Sequence, residues 1–143
     1  MRWIKYNEII IIGRAKMRKS IEMISVNVDD KTDIFTGKES DQTIGWVIMR
    51  VGDRYLMVSY SEYFSKDSGS CEMLKIVSGS DQFQFNFGSK DDPSNEVHSI
   101  DDYYNKTNKY HHKVKTFEKL FGIELTKLYL LVVNAIYIKY QIT

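Results

Sequence analysis

Apolar and polar residues alternate with a period near two through most of the first 88 positions. Through the last third they recur with a period near 3.6. The first pattern predicts strands and the second predicts helices. Trp3 to Ile12 is an aromatic and β-branched run ending at Gly13, and reads as a strand. In the next run, Ile24, Val26 and Val28 alternate with Ser25 and Asn27, which predicts a half-buried strand with those three residues inward. The stretch from Asp29 to Gln42 is polar and acidic, and reads as a loop or a frayed edge.

The strongest local signal is the pair Gly52-Asp53 between Ile44–Val51 and Arg54–Tyr60. Two apolar runs joined by two residues, the first a glycine able to adopt positive φ, form a β-hairpin. Val47, Met49, Val51, Leu56 and Val58 fall on one face, and Ile44, Trp46, Ile48, Tyr55 and Met57 on the other. Both faces are apolar, so the hairpin is expected to be central and covered on both sides. Ser61 to Ser70 reads as a polar loop. Met73–Val77 and Gln82–Phe87 read as two further strands, with Phe83, Phe85 and Phe87 on one side of the second. Gly88 to Asn95, with Pro93, ends the sheet region.

Ser99 followed by Asp102 resembles a capping box, and Asp101 and Asp102 suit the positive end of a helix. Tyr103, Thr107, Tyr110, Val114, Phe117 and Phe121 then form one amphipathic stripe, predicting a helix that runs to Gly122. Leu125 to Tyr140 fits a buried helix, and its Val132, Val133, Ile136 and Ile138 also fit a buried strand. Length favours the helix. The expected fold is α+β: a single domain over 1–143, with an antiparallel sheet of five or six strands and two C-terminal helices packed on it.

Composition narrows the functional classes. The chain has 143 residues, 43% of them hydrophobic, enough for one core without disulfide or metal support. A single cysteine excludes a disulfide framework and any cysteine-rich zinc module. The longest apolar run, Leu128 to Ile138, is too short to span a bilayer. With no recognisable signal segment, a cytoplasmic protein with no membrane partner is expected. The abundance of Ile, Lys, Tyr, Asn and Phe points to AT-rich codons, as in a phage or mobile element.

No residue set carries an enzymatic signature. His98 and Asp102 stand four apart but lack a third metal ligand. His111 and His112 are adjacent on a helix and diverge. Cys71 has no basic sequence neighbour to lower its pKa, and reads as an incidental loop thiol. Asp53, Glu72 and Lys75 only approximate a nuclease pattern, since a strand would put Glu72 and Lys75 on opposite faces. No catalytic residue, cofactor or metal is therefore expected. The segment Arg14 to Lys19 reads as a basic turn with no interleaved aromatics for base stacking, so nucleic acid is not the expected partner.

Net charge is +1, but it is a cancellation. Residues 1–20 carry +5, residues 21–105 carry −9 and residues 106–143 carry +5. The acids gather at Asp29, Asp30, Asp33, Glu39 and Asp41, and again at Asp91, Asp92 and Glu96. If these stretches share one side, they suit a basic protein partner and fast, steered association. Tyr60, Tyr63 and Phe64 are the candidate aromatic anchors. The expectation is a small intracellular inhibitor, most concretely an immunity protein that neutralises a toxin, a nuclease for choice, by covering its active cleft. A phage-encoded inhibitor of a host defence protein, and a nucleic-acid-processing protein using Arg14–Lys19, are the alternatives. A homodimer is an open alternative for its oligomeric state, because the hairpin is apolar on both faces.

Overall fold

A computed structural model describes residues 4–12, 15–29, 40–65, 69–88, 97 and 99–142. Within these it describes the side chains of residues 20–29, 44–62, 71–88, 97 and 99–141. Six strands, β1 (Ile4–Ile12), β2 (Ala15–Val28), β3 (Ser40–Val51), β4 (Arg54–Ser65), β5 (Gly69–Ser78) and β6 (Asp81–Gly88), form one antiparallel meander in sequence order. A 3-10 helix at Ile100–Tyr104 and two α-helices, α1 (His111–Phe121) and α2 (Leu125–Ile142), follow. The α+β class and the sheet-then-helices order are as the sequence predicts.

Five connections join the strands: four have two or three residues, and the one from β2 to β3 has eleven. Gly52 and Gly79 open the two-residue turns β3–β4 and β5–β6 at φ 64° and 59°. A side chain rarely tolerates that region, which is why glycine stands at both turns. Segment 13–14 joins β1 to β2 at the same end of the sheet. The β2–β3 and β4–β5 connections, and the chain leaving β6, all lie at the opposite end.

The core forms between the inner face of the sheet and the two helices. Val47, Met49, Val51, Leu56, Val58, Leu74, Ile76 and Phe85 are fully buried there. They meet Val114, Phe117, Leu125, Leu128, Val132 and Ile136 from the helices, which are equally buried. Phe83, Phe85, Phe117, Phe121 and Tyr103 pack edge to face or tilted at centroid separations of 5.2–5.8 Å, apart from the stacked Phe83–Phe85 pair. This aromatic cluster fastens α1 to β6.

The structure departs from the sequence reading in five places. First, only the inner face of the hairpin is covered. Ile48, Tyr55 and Met57 on the outer face are 37%, 62% and 44% exposed. Both helices follow the sheet in the chain and both pack on one side of it. Second, β-bulges re-phase two strands. One lies between Met23 and Ser25, so Ile21 and Met23 are buried before it and Val26 after it, while Ile24 is only half-buried. Another lies between Thr43 and Gly45 and turns Ile44 into the core rather than beside Trp46. An extra residue inverts the alternation beyond it.

Third, the helix expected from Ser99 to Gly122 is broken. Its start holds, because the Asp102 carboxylate accepts a hydrogen bond from the Ser99 N–H at 3.2 Å. Asn105 then takes Thr107 N and Oγ1 onto its own side-chain oxygen at 3.1 and 2.8 Å, and Asn108 takes Tyr110 N at 2.8 Å. Such side-chain-closed turns compete with helical hydrogen bonds. Fourth, Ser61–Ser65 and Gly69–Cys71 are strand rather than polar loop, and Asp41 lies within β3 opposite Tyr63. Fifth, Ala15–Lys19 is strand, so the basic segment is not a turn.

The final segment is a helix. Its N-terminus is closed by Glu118, whose carboxylate accepts Leu125 N at 3.1 Å and the Tyr104 hydroxyl at 2.8 Å, while Tyr104 accepts Thr126 N at 3.0 Å. A carboxylate there satisfies an otherwise orphaned N–H and suits the helix dipole. Gly122 ends α1 in the left-handed region, at φ 69°.

Candidate functional site

The meander brings the ends of β2, β4 and β6 and the starts of β3 and β5 to one end of the sheet. In the sequence, the stretches that join or leave those strand ends, residues 29–41, 62–72 and 89–96, hold eleven acids against four lysines. Residues 13–19 hold four basic residues and no acid. Among the described residues, Arg54 and Asp81 pair at 2.6 Å at the opposite end.

Of the sequence-predicted partner residues, Asp29 is half-buried just after β2, its N–H bonded to Ile44 O at 3.1 Å. Asp41, Tyr63 and Phe64 are placed by their strand pairing alone. Asp30, Asp33, Glu39, Asp91, Asp92 and Glu96 lie outside the described residues. Tyr60 is corrected: it is 2% exposed and faces α2, so it cannot anchor a partner.

What Tyr60 does instead organises the best-defined polar cluster, which the sequence reading missed. Glu62 on β4 and Glu72 on β5 are direct cross-strand partners. Like charges so placed repel unless other groups compensate. Three tyrosines supply that compensation. The Tyr60 hydroxyl lies 2.6 Å from Glu72 Oε1 and 3.0 Å from Glu62 Oε1. Tyr129 donates to Glu72 Oε1 at 2.7 Å, and Tyr137 donates to Glu62 Oε1 at 3.1 Å. Tyr129 and Tyr137 both come from α2, so the network ties that helix to the β4–β5 hairpin. The rings of Tyr129 and Tyr137 stand edge to face with Tyr60 at 6.4 and 6.5 Å. The legible signals were Tyr60 and Glu62 two apart on a strand, and Tyr129 and Tyr137 eight apart on a helix, each pair sharing a face.

Burial first, then hydrogen bonding to and repulsion by Glu72, keep the Tyr60 and Tyr129 hydroxyls protonated well above the usual tyrosine range. Burial also raises Tyr103 and Tyr104 to about 12. Free tyrosine ionises near 10. The folded state therefore holds these protons where the unfolded chain releases them. The stability they contribute is complete below about pH 10 and is lost as pH rises toward 12. Unfolding free energy measured by urea titration should be level from neutral pH to about 9 and then fall, with the tyrosinate absorbance of these residues appearing only on unfolding. A flat profile through pH 11 would contradict this reading.

The remaining chemical candidates are dispersed. Glu72 turns inward while Lys75 is exposed on the other face, as their spacing predicts. Cys71 is half-buried in β5 rather than in a loop, with Sγ 3.6 Å from Glu72 O. His111 Nδ1 lies 3.2 Å from Tyr103 O, His112 is exposed, and His98 is outside the described residues. Among the described residues no group of three or more His, Cys, Asp or Glu could hold a metal ion. No single helix among them is long and apolar enough to cross a membrane. No family model matches the chain, and no curated protein or solved structure shows significant similarity to it.

Proposed function

We propose that this protein is a small binding protein that inhibits a basic protein partner, most concretely an immunity protein that occludes the active cleft of a nuclease toxin. The observation that supports this is that the strand ends flanking the acidic stretches share one end of the sheet. On this reading, acids scattered through the sequence form a single pole because alternate connections of a meander share an end. Nucleases present basic clefts to their substrates, and a concentrated acidic pole accelerates encounter with such a surface. Tyr63 and Phe64 lie in β4 near that pole and remain the proposed aromatic anchors, without Tyr60.

The test uses a purified nuclease toxin from the same genome with the full chain. The complex should form quickly at low salt and slow steeply as salt is raised. Neutralising Asp30, Asp91 and Asp92 together to asparagine should lower the association rate by about tenfold, with the melting temperature recorded as the control for folding. An association rate insensitive to both salt and these substitutions would overturn the acidic pole as the docking surface. Toxin activity unaffected by saturating protein would overturn inhibition itself.

A further inference from the structure

The helix layer carries a second surface that the acidic pole does not use. In α2, Leu128, Val132 and Ile136 face the sheet and are fully buried. The opposite side of the same helix is only partly polar. Leu130 is 49% exposed, Ile138 55% and Tyr140 39%, with exposed Asn134 and Gln141 among them. Tyr137 is held on the sheet side by Glu62 and the Tyr60 ring. Leu130, Ile138 and Tyr140 form an outward stripe that the sheet does not cover.

Its neighbour supplies charge. The outward side of α1 shows exposed Lys115 and Lys119 beside Leu120, and exposed Tyr110 precedes the helix. From residue 106 to the end the chain has seven lysines, no arginine and two glutamates. One of those glutamates, Glu118, is turned to the start of α2. Both helices pack on the inner face of the sheet, so their outward sides point away from it together.

We propose that this outward side of the helix layer is a peripheral membrane-binding face fitted to an anionic lipid surface. Three features select that occupant. The charge is complementary to anionic headgroups and repels a second copy of the same face. The cations are all lysine, whose long stems let the charge reach headgroups while the chain covers apolar surface, whereas protein interfaces favour arginine over lysine. Of the five exposed apolar residues on this side, Tyr110, Leu120, Leu130, Ile138 and Tyr140, two are tyrosine, the side chain that settles at the boundary of headgroup and hydrocarbon. Neither helix need span the bilayer: the bend of 75° between them suits a pair lying on a surface. The expectation of no membrane partner rests on span length, and span length does not bear on a surface-bound helix.

Flotation of the full chain with vesicles of phosphatidylcholine, with and without about one-third phosphatidylserine, tests the proposal. Partition onto the anionic vesicles should exceed that onto neutral ones by about tenfold or more, and high salt should release the protein. Ile138→Asp, and separately Lys115→Glu with Lys119→Glu, should each weaken anionic binding about tenfold without lowering the melting temperature, since all three side chains are exposed. The salt response of the unaltered chain decides the matter if a variant misfolds. Equal partition onto both vesicle types, or none onto either, overturns the proposal. So does a dimer in sedimentation that Leu130→Asp dissociates, because a second copy would then own the stripe.

Discussion

Replacing Phe117 by alanine is expected to destabilise the fold by about 3–5 kcal/mol. The ring is fully buried and stands 5.5 Å from Phe83, 5.5 Å from Phe85 and 5.2 Å from Phe121. It is the point at which α1 meets β6. Truncation removes the transfer free energy of a large side chain and leaves a void whose walls are other rings. Those rings cannot collapse into it without giving up their edge-to-face contacts. Domains of this size are stable by about 5–15 kcal/mol, so a large share of the total is at stake. Urea unfolding should show the loss directly, and the melting temperature should fall by about 10 °C or more. Phe117→Leu should cost much less, because volume is largely kept. A loss below about 1 kcal/mol for the alanine variant would mean that α1 is not fastened through this cluster.

The second large effect is expected at Gly45, where alanine should cost about 2–3 kcal/mol. The reason is space rather than backbone angle. A Cβ there would sit 2.5 Å from Asn27 O and 2.9 Å from Ile136 Cγ2. Gly45 is where β2, the bulged β3 and α2 converge, so the added carbon meets a backbone carbonyl on one side and a packed helix on the other. Ile136→Ala removes both Cγ atoms that the new carbon would meet and leaves the carbonyl. A double-mutant cycle between Gly45→Ala and Ile136→Ala should therefore show partial rescue, with a favourable coupling of about 0.5–1 kcal/mol. Strict additivity would mean that the helix does not press on this position. The cycle thereby tests the seating of α2 on β3, and with it the orientation of the stripe proposed to meet lipid.

These two positions differ in how far the sequence announced them. Phe117 lies on the stripe predicted for an amphipathic helix, and Phe85 alternates with Gln84 and Asn86, so both were expected inward. Gly45 gave no local signal, because a glycine required by the approach of another element looks like any strand glycine. The bulges beside Ile24 and Ile44 were equally silent. A single inserted residue shifts the phase of everything after it, and only the partner strand shows which phase has been taken. The break at Asn105–Tyr110 had a legible cue in its two asparagines. The apolar spacing ran through it undisturbed and outweighed that cue.

The Tyr60–Glu72 network was hidden for a related reason. Tyr60 read as an exposed anchor because a polar stretch follows it, yet that stretch is the rest of β4 and continues onto the inner face. Tyr129 and Tyr137 arrive there from a helix almost 70 residues later in the chain, 57 positions beyond Glu72 in the case of Tyr129. No spacing rule relates such distant residues.

Local chemistry in the sequence determined the presence of the strands, the glycine turns, the end of α1 and the α+β class. Each depends on residues within a few positions of one another, where φ preference, side-chain period and capping act. Tertiary structure decided which faces are covered and which strand ends lie together. The two helices can cover one side of a sheet of this size and not both, so the outer face of β3 and β4 and the outer side of α2 stay exposed. The strand ends that flank the acidic stretches share one end of the sheet because a meander returns alternate strands to it.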